Sequence, residues 1–395
     1  MSRTDAAPLS LKLTLLSVAT LTIMAGTIVS PALPAVREVF SDQPQVELLS
    51  RMVLTLPALF VVFCAPIAGT LADRFGRRKL LIASILLYAV AGASGLVAQS
   101  LTGLLVGRAA LGVAIAGIMT IGAALVGDYF EGDERVRFFG LQQGATQFGG
   151  VVFVVAGGLL ADLHWRAPFL VYGLALFIAA ATALFLIEPG RKLHQLGAQS
   201  GISVKWNWPL IALVCLMAWL LNVLFYTVPS QIAFFLRDSL GVALPSIAGW
   251  AIGVLNLAAA VTALNFGRLR ARLPAVALFA LGFGLLALGF AGLAFSEGRF
   301  GVFLALAVAG LGLGYSMPNI LSVAVKVAPP QGRARVTGLV TSSMFLGHFL
   351  SPILAQPLIA RFDYAGLFLL VAAIFALMAV LALAAFARRS QAQIA

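Results

Sequence analysis

Two ionisable side chains lie inside long stretches that are otherwise free of charge. Arg108 is the one charged residue between positions 80 and 127, and His348 sits within SSMFLGHFLSP, inside a charge-free run from 336 to 360. An arginine held at the centre of a lipid-spanning helix costs on the order of 2.5 to 3.5 kcal/mol. Arg108 therefore calls for a polar partner or a water-filled cavity, where it would attract an organic anion, unless it snorkels to the nearby surface. An imidazole with an ordinary pKa of about 6.5 exchanges a proton near neutrality. His348 is thus a candidate proton carrier, its alternative being a neutral ring bonded to a neighbouring helix. Gln147, Asn222, Tyr226, Asn256, Tyr315 and Asn319 are uncharged polar groups in similar apolar surroundings, suited either to bonding a substrate or to tying helices together. There are no paired carboxylates, no metal-spaced His/Cys/Asp cluster and no nucleophile beside a base, so an enzyme is not expected. No metal or other cofactor is called for.

The elements carrying these residues are set by composition. Hydrophobic residues make up 61% of the chain and charged ones 10%, against about 25% charged in a soluble domain. Stretches without Asp, Glu, Lys or Arg are each long enough for a membrane helix of about 20 residues. The 80–127 stretch is long enough for two, with a turn-like AQSLTG at 98–103 in its middle. Twelve transmembrane helices result. The runs are continuous rather than alternating, which excludes strands of a membrane barrel. The first run, Leu13 to Val36, is longer than a secretory signal core and is counted as helix 1. Cys64 and Cys215 lie in apolar runs and suggest neither a disulfide framework nor a metal site.

Charge orients the chain. With a cytoplasmic N-terminus, 19 of the 26 Lys and Arg residues fall in cytoplasmic segments, the bias expected of the inside of a cell membrane. Both termini are then cytoplasmic, and the net charge of +12 reflects topology rather than a nucleic-acid partner. A shift of 198 residues superposes Gly69 on Gly267, Arg74 on Arg272, Gly112 on Gly310, Arg135 on Arg333 and Arg137 on Arg335. Two six-helix halves, 1–187 and 207–395, joined by a cytoplasmic linker at 188–206, are expected, an architecture that places a site between the repeats. Within GTLADRFGRRK, 69–79, glycines at 69 and 76 permit a helix end and tight turn, and Asp73 can pair with arginines or cap a helix.

That loop, between helices 2 and 3, closely resembles the signature loop of the major facilitator superfamily. RAALGVAIAG, Arg108 to Gly117, resembles the family's second motif, and GGLLADLHWRAPF, Gly157 to Phe169, is similar to the passage from helix 5 into helix 6 in twelve-helix drug and metabolite exporters. The resemblance implies an all-α membrane fold of two six-helix halves and a cytoplasmic gate built from Gly69, Asp73, Arg74, Gly76, Arg77 and Asp128. In that gate Asp73 would face the start of helix 11 and Arg77 would lie near Asp128. It also implies a substrate site drawn from Arg108, Gln147, Asn222, Tyr226, Asn256, Tyr315, Asn319 and His348, with His348 and Arg108 as candidates for proton coupling. One departure is Phe153 and Val154 where antiporters usually carry Gly-Pro.

No phosphate-binding G-x-x-x-x-G-K-S/T loop occurs, so the chain is expected to be a secondary transporter acting as a monomer in the cell (inner) membrane. An exporter of small organic compounds, with protons as the candidate coupled ion, leads. The alternative is an importer or facilitator of a small organic anion, suggested by Arg108 and His348 without a central acid.

Overall fold

In hydrocarbon every backbone N–H and C=O must be satisfied within the protein, and each long apolar stretch accordingly folds as a helix. The computed structural model describes residues 8–188, 206–329 and 332–394, and among them every regular element is helical. The membrane helices are α1 (Leu9–Val39), α2 (Val46–Phe75), α3 (Arg77–Leu96), α4 (Leu101–Tyr129), α5 (Gly132–Leu163), α6 (Ala167–Phe185), α7 (Trp208–Asp238), α8 (Pro245–Arg272), α9 (Ala275–Ala294) and α10 (Arg299–Val327). The last helical stretch, Arg333–Ile394, holds 62 residues and breaks at Asp363, whose φ of 58° is not helical. It supplies two spans, α11 (333–362) and α12 (364–394). The 80–127 stretch divides as its turn residues imply, with Ser100 capping α4 by accepting from Gly103 N–H at 3.1 Å. Apart from Glu188 and Trp206, the linker expected at 188–206 lies outside the described residues.

The 198-residue repeat reappears in local geometry. α1 is helical over Leu9–Thr27, passes through a 3-10 turn at Ser30–Ala32 and resumes over Leu33–Val39; α7 is helical over Trp208–Phe225 and again over Thr227–Asp238. Each break falls four residues before a proline, Pro31 in one half and Pro229 in the other. Proline lacks the N–H and clashes with the carbonyl four residues earlier, so the same residue at the same offset interrupts the first helix of each half. Glycine packing repeats too. A Cβ on Gly112 of α4 would lie 2.4 Å from the Pro57 carbonyl of α2, and one on Gly310 of α10 would lie 2.2 Å from the Leu255 carbonyl of α8. The carbonyl partners are themselves 198 positions apart.

The halves meet where α2 packs on the α11–α12 stretch and α5 on α8. The face carrying Gly69–Lys79 is called here the loop face. Away from it, the α5–α8 contact is backbone to backbone: a Cβ on Gly158 would stand 2.8 Å from Ser246 Cα, and one on Gly249 would stand 2.7 Å from the Val154 carbonyl. Toward the loop face, a Cβ on Gly140 or Gly144 of α5 or on Gly267 of α8 would meet nothing within 4 Å. The two halves are thus closed together on the far face and apart on the loop face.

Candidate functional site

The two helix breaks face each other across a cavity of about 250 Å³. Thr27 and Ser30 border it from α1, and Phe225, Tyr226 and Pro229 from α7, while Leu54 and Pro57 of α2, Ile115 of α4, Asn256 of α8 and Phe345 and His348 of α11 complete much of its wall. A broken helix leaves backbone groups without intrahelical partners. Beside the breaks, the Ser30 hydroxyl donates across the two halves to the Pro229 carbonyl in the first turn of the resumed helix.

Of the residues singled out in the sequence, Tyr226, Asn256 and His348 line this cavity. Asn222 is fully buried one turn behind Tyr226 and holds the histidine. Its Nδ2 donates to the Ala218 carbonyl at 2.7 Å, which turns Oδ1 toward the ring, so His348 Nε2–H donates to Asn222 Oδ1 at 2.8 Å. The imidazole stacks on Tyr226 with centroids 4.1 Å apart and meets Phe345 edge-on at 5.4 Å.

Arg108 is fully buried but is not among the residues that line the cavity. Its Nη1 donates to the Tyr172 hydroxyl at 2.9 Å and its Nη2 to the Gly92 carbonyl at 2.9 Å. Tyr172 in turn donates to the Ala25 carbonyl of α1 at 3.0 Å, and the guanidinium stands 5.0 Å from the Phe169 ring and 5.1 Å from that of Tyr172. Arg108 therefore ties α4 to α3 and α6, and through Tyr172 to the cavity-lining turn of α1. Asn319 is likewise drawn into packing, donating to the Ala275 carbonyl at the start of α9 at 2.8 Å. Gln147 and Tyr315 are half-buried on α5 and α10 and do not line the cavity in this state.

The far face holds a polar cluster that the sequence does not single out. Arg37 at the end of α1 forms a two-pronged pair with Asp238 at the end of α7, at 2.7 and 2.6 Å. Arg51 of α2 is 1% exposed. It donates to Gln231 of α7 at 2.6 Å and Tyr364 of α12 at 3.1 Å, and pairs with Glu47 at 2.8 Å. Its guanidinium lies 3.8 Å over the Phe234 ring. Tyr364 also donates to Asp238 at 3.2 Å, and Arg237 pairs with Glu38. Every one of these links except Glu47 to Arg51 and Tyr364 to Asp238 joins one half to the other.

Comparison with known proteins fixes the family. The chain matches the Major Facilitator Superfamily over residues 15–244 and again over 232–394. It belongs to that superfamily. Its relatives include the bacillibactin exporter of Bacillus subtilis, 26% identical over 76% of this chain and 78% of that protein. They include the multidrug resistance protein MdtG of Klebsiella pneumoniae, 24% identical over 90% of this chain and 88% of that protein. Among solved structures, the D-xylose-proton symporter superposes with a TM-score of 0.79 at 14% identity, covering 95% of this chain and 97% of that one, which shows the shared fold.

The superfamily's signature loop is built here from the N-terminal half alone. Gly76 adopts φ 96°, a conformation that L side chains rarely take, and lets α3 begin immediately after α2 ends. The exposed N–H groups of that new helix, on Arg77 and Arg78, are met by the Glu188 carboxylate at 2.7 and 2.9 Å, an anion where the helix dipole favours one. Arg77 pairs with Asp128 at the end of α4, as the resemblance implies, and with Asp73 at 3.5 Å. Asp73 itself is mostly exposed, and among the described residues its pair is with Arg77 of its own loop. Among the described residues, no ion pair or hydrogen bond joins Asp73 to the start of helix 11 in this open arrangement. A Cβ on Gly69 would meet the Thr120 methyl of α4 at 3.5 Å, ordinary van der Waals contact. Arg74 lies 5.4 Å from the Phe75 ring.

Proposed function

We propose that this protein exports small organic compounds by alternating access, as a secondary transporter whose substrate site is the cavity between the two helix breaks. The observation that carries this reading is the combination of a central cavity with halves that are latched on the far face and separated on the loop face. A rocking of 1–187 against 207–395 about that cavity would exchange which face is open. The relatives named for bacillibactin export and multidrug resistance favour outward movement.

The excess of Lys and Arg on the loop face supports a cytoplasmic assignment for that face and both termini, in the cell (inner) membrane, with the chain working as a monomer. The arrangement described is then open to the cytoplasm, ready to load. The lack of a phosphate-binding loop in the sequence supports transport driven by a gradient. The second reading, import of an organic anion, rests on Arg108 and His348 in a cavity without a central acid. The placement of Arg108 behind α1, with a phenol and a carbonyl for partners, does not favour it.

Uptake and efflux in proteoliposomes with an imposed pH gradient, over anionic, neutral and cationic compounds, tests the reading. Net outward movement of a small organic compound is expected. Gradient-independent rates no greater than those of protein-free liposomes would contradict it.

A further inference from the structure

The cavity combines a largely apolar wall with three uncharged polar groups that have no partner of their own. Tyr226 reaches across from α7 until its hydroxyl lies 3.3 Å from where a Cβ on Gly26 of α1 would sit. Glycine at 26 thus makes the room for it, and among the described residues no group bonds that hydroxyl. The Asn256 side chain lines the cavity from α8, also with no bond among the described residues. At His348, the Ala218 carbonyl fixes the Asn222 amide, and the amide fixes the proton on Nε2. In a neutral ring that leaves Nδ1 as a lone-pair acceptor, again without a partner among the described residues.

Charge is absent from the same surface. Among the described residues no Asp, Glu, Lys or Arg lines the cavity, and Arg108 is occupied one layer behind it. An ion entering an apolar cavity without a counter-charge is disfavoured far more than a dipolar neutral molecule. An imidazolium at 348 would meet the same difficulty, since its neighbours are Tyr226, Phe345 and the Asn222 carbonyl oxygen. A few placed polar groups in an apolar hollow orient a ligand and set its specificity. The stacked rings of Tyr226 and His348 add flat walls suited to an aromatic body.

We infer that the substrate is an uncharged, flat, largely apolar compound bearing at least one hydrogen-bond donor, oriented by the Tyr226 hydroxyl, the Asn256 amide and His348 Nδ1. The inference rests on the cavity being the transport site, as proposed above.

Three naphthalene probes of one shape separate the possibilities: 2-naphthamide, 2-naphthoate and trimethyl(2-naphthyl)ammonium. Binding to the purified protein in nanodiscs, with empty nanodiscs subtracted, should favour the neutral amide over both ions by about tenfold or more. Tyr226→Phe and His348→Phe each keep a ring in place while removing a polar atom. Each should weaken naphthamide by about three- to tenfold, and His348→Gln, which restores an acceptor, should recover part of the loss. Thermal unfolding of each variant, measured without probe, separates a lost contact from a lost fold. Tighter binding of either ion, or unchanged naphthamide affinity in folded Tyr226→Phe and His348→Phe, overturns the inference. So does binding of none of the three. Movement of a charged probe in the proteoliposome assay would leave the transporter reading standing while the uncharged-substrate inference fails, and no movement of any compound would remove the reading beneath it.

Discussion

Arg37 and Asp238 clasp each other through two hydrogen bonds, Nη1 to Oδ2 at 2.7 Å and Nη2 to Oδ1 at 2.6 Å, across 201 residues of chain. One belongs to each half, and both stand on the face where the halves touch. Charge-assisted two-pronged pairs are among the stronger polar contacts, and this one exists only while the far face is shut. Asp238→Asn or Arg37→Ala should therefore move the equilibrium toward far-face opening by about 1 to 3 kcal/mol, or about 5- to 150-fold in the population ratio. Labelling of a single far-face cysteine by a membrane-impermeant maleimide measures it, with faster labelling expected in either variant.

Arg51→Ala should act in the same direction and more strongly. It leaves Gln231 and Tyr364 without their donor and uncovers the Phe234 ring. Removing one member of a buried charged network costs on the order of 3 to 5 kcal/mol. The melting temperature in detergent should fall together with a rise in far-face labelling, and an unchanged value of both would argue against the latch.

Arg108→Ala is expected to lower stability for any substrate alike rather than to abolish transport of anions selectively. The substitution strands the Gly92 carbonyl and frees Tyr172 from the α4 side. Arg108→Lys should rescue little, because one ammonium cannot span the two acceptors as a planar fork does. Thermal unfolding alongside transport of an anionic and a neutral compound distinguishes the two outcomes.

At the loop face, Gly76→Ala must hold φ 96° with a side chain, and its Cβ would stand 3.3 Å from a Glu188 oxygen. With ψ at 141°, this backbone is nearly reserved for glycine, and holding another residue there costs about 1 to 3 kcal/mol. Reduced stability is expected, whereas Asp73→Asn should leave stability and membrane insertion normal and lower transport by weakening closure of this face. Wild-type transport by Asp73→Asn would remove Asp73 from the gate.

His348→Gln should reproduce the wild-type pH profile of transport between about pH 5.5 and 7.5, the range in which an ordinary imidazole titrates. Its ring is tied to Asn222 and stacked on Tyr226 in a cavity with no lining carboxylate among the described residues, surroundings that give an imidazolium no counter-charge. A flattened profile in the variant would instead make His348 the proton carrier.

Much of this architecture is legible in the sequence because it is written in local patterns. Charge-free runs define the spans, a single 198-residue offset defines the halves, and the glycines and arginines of 69–79 mark the loop. The cavity is partly legible: Tyr226, Asn256 and His348 stand out as polar groups in apolar runs, and so does Asn222. Arg108 stands out equally, yet its burial is resolved by Tyr172, 64 residues away, and no local pattern announces that partner. The far-face latch is not legible in the sequence for the same reason. Arg51 finds Gln231 and Tyr364 at separations of 180 and 313 residues, and in the sequence each looks like an ordinary residue at the end of a span. Pro31 and Pro229 were the available signal, since their shared offset marks the breaks that shape the cavity.

The central claim is that transport requires the far face to open and close about the central cavity, and locking that face shut tests it most directly. With Cys64 and Cys215 replaced by alanine, Arg37→Cys and Asp238→Cys can be joined by a short, reducible bifunctional thiol reagent and assayed in proteoliposomes. Transport should be lost on cross-linking and return on reduction, with the two single-cysteine proteins unaffected by the reagent. Undiminished transport by the fully cross-linked protein would contradict the account.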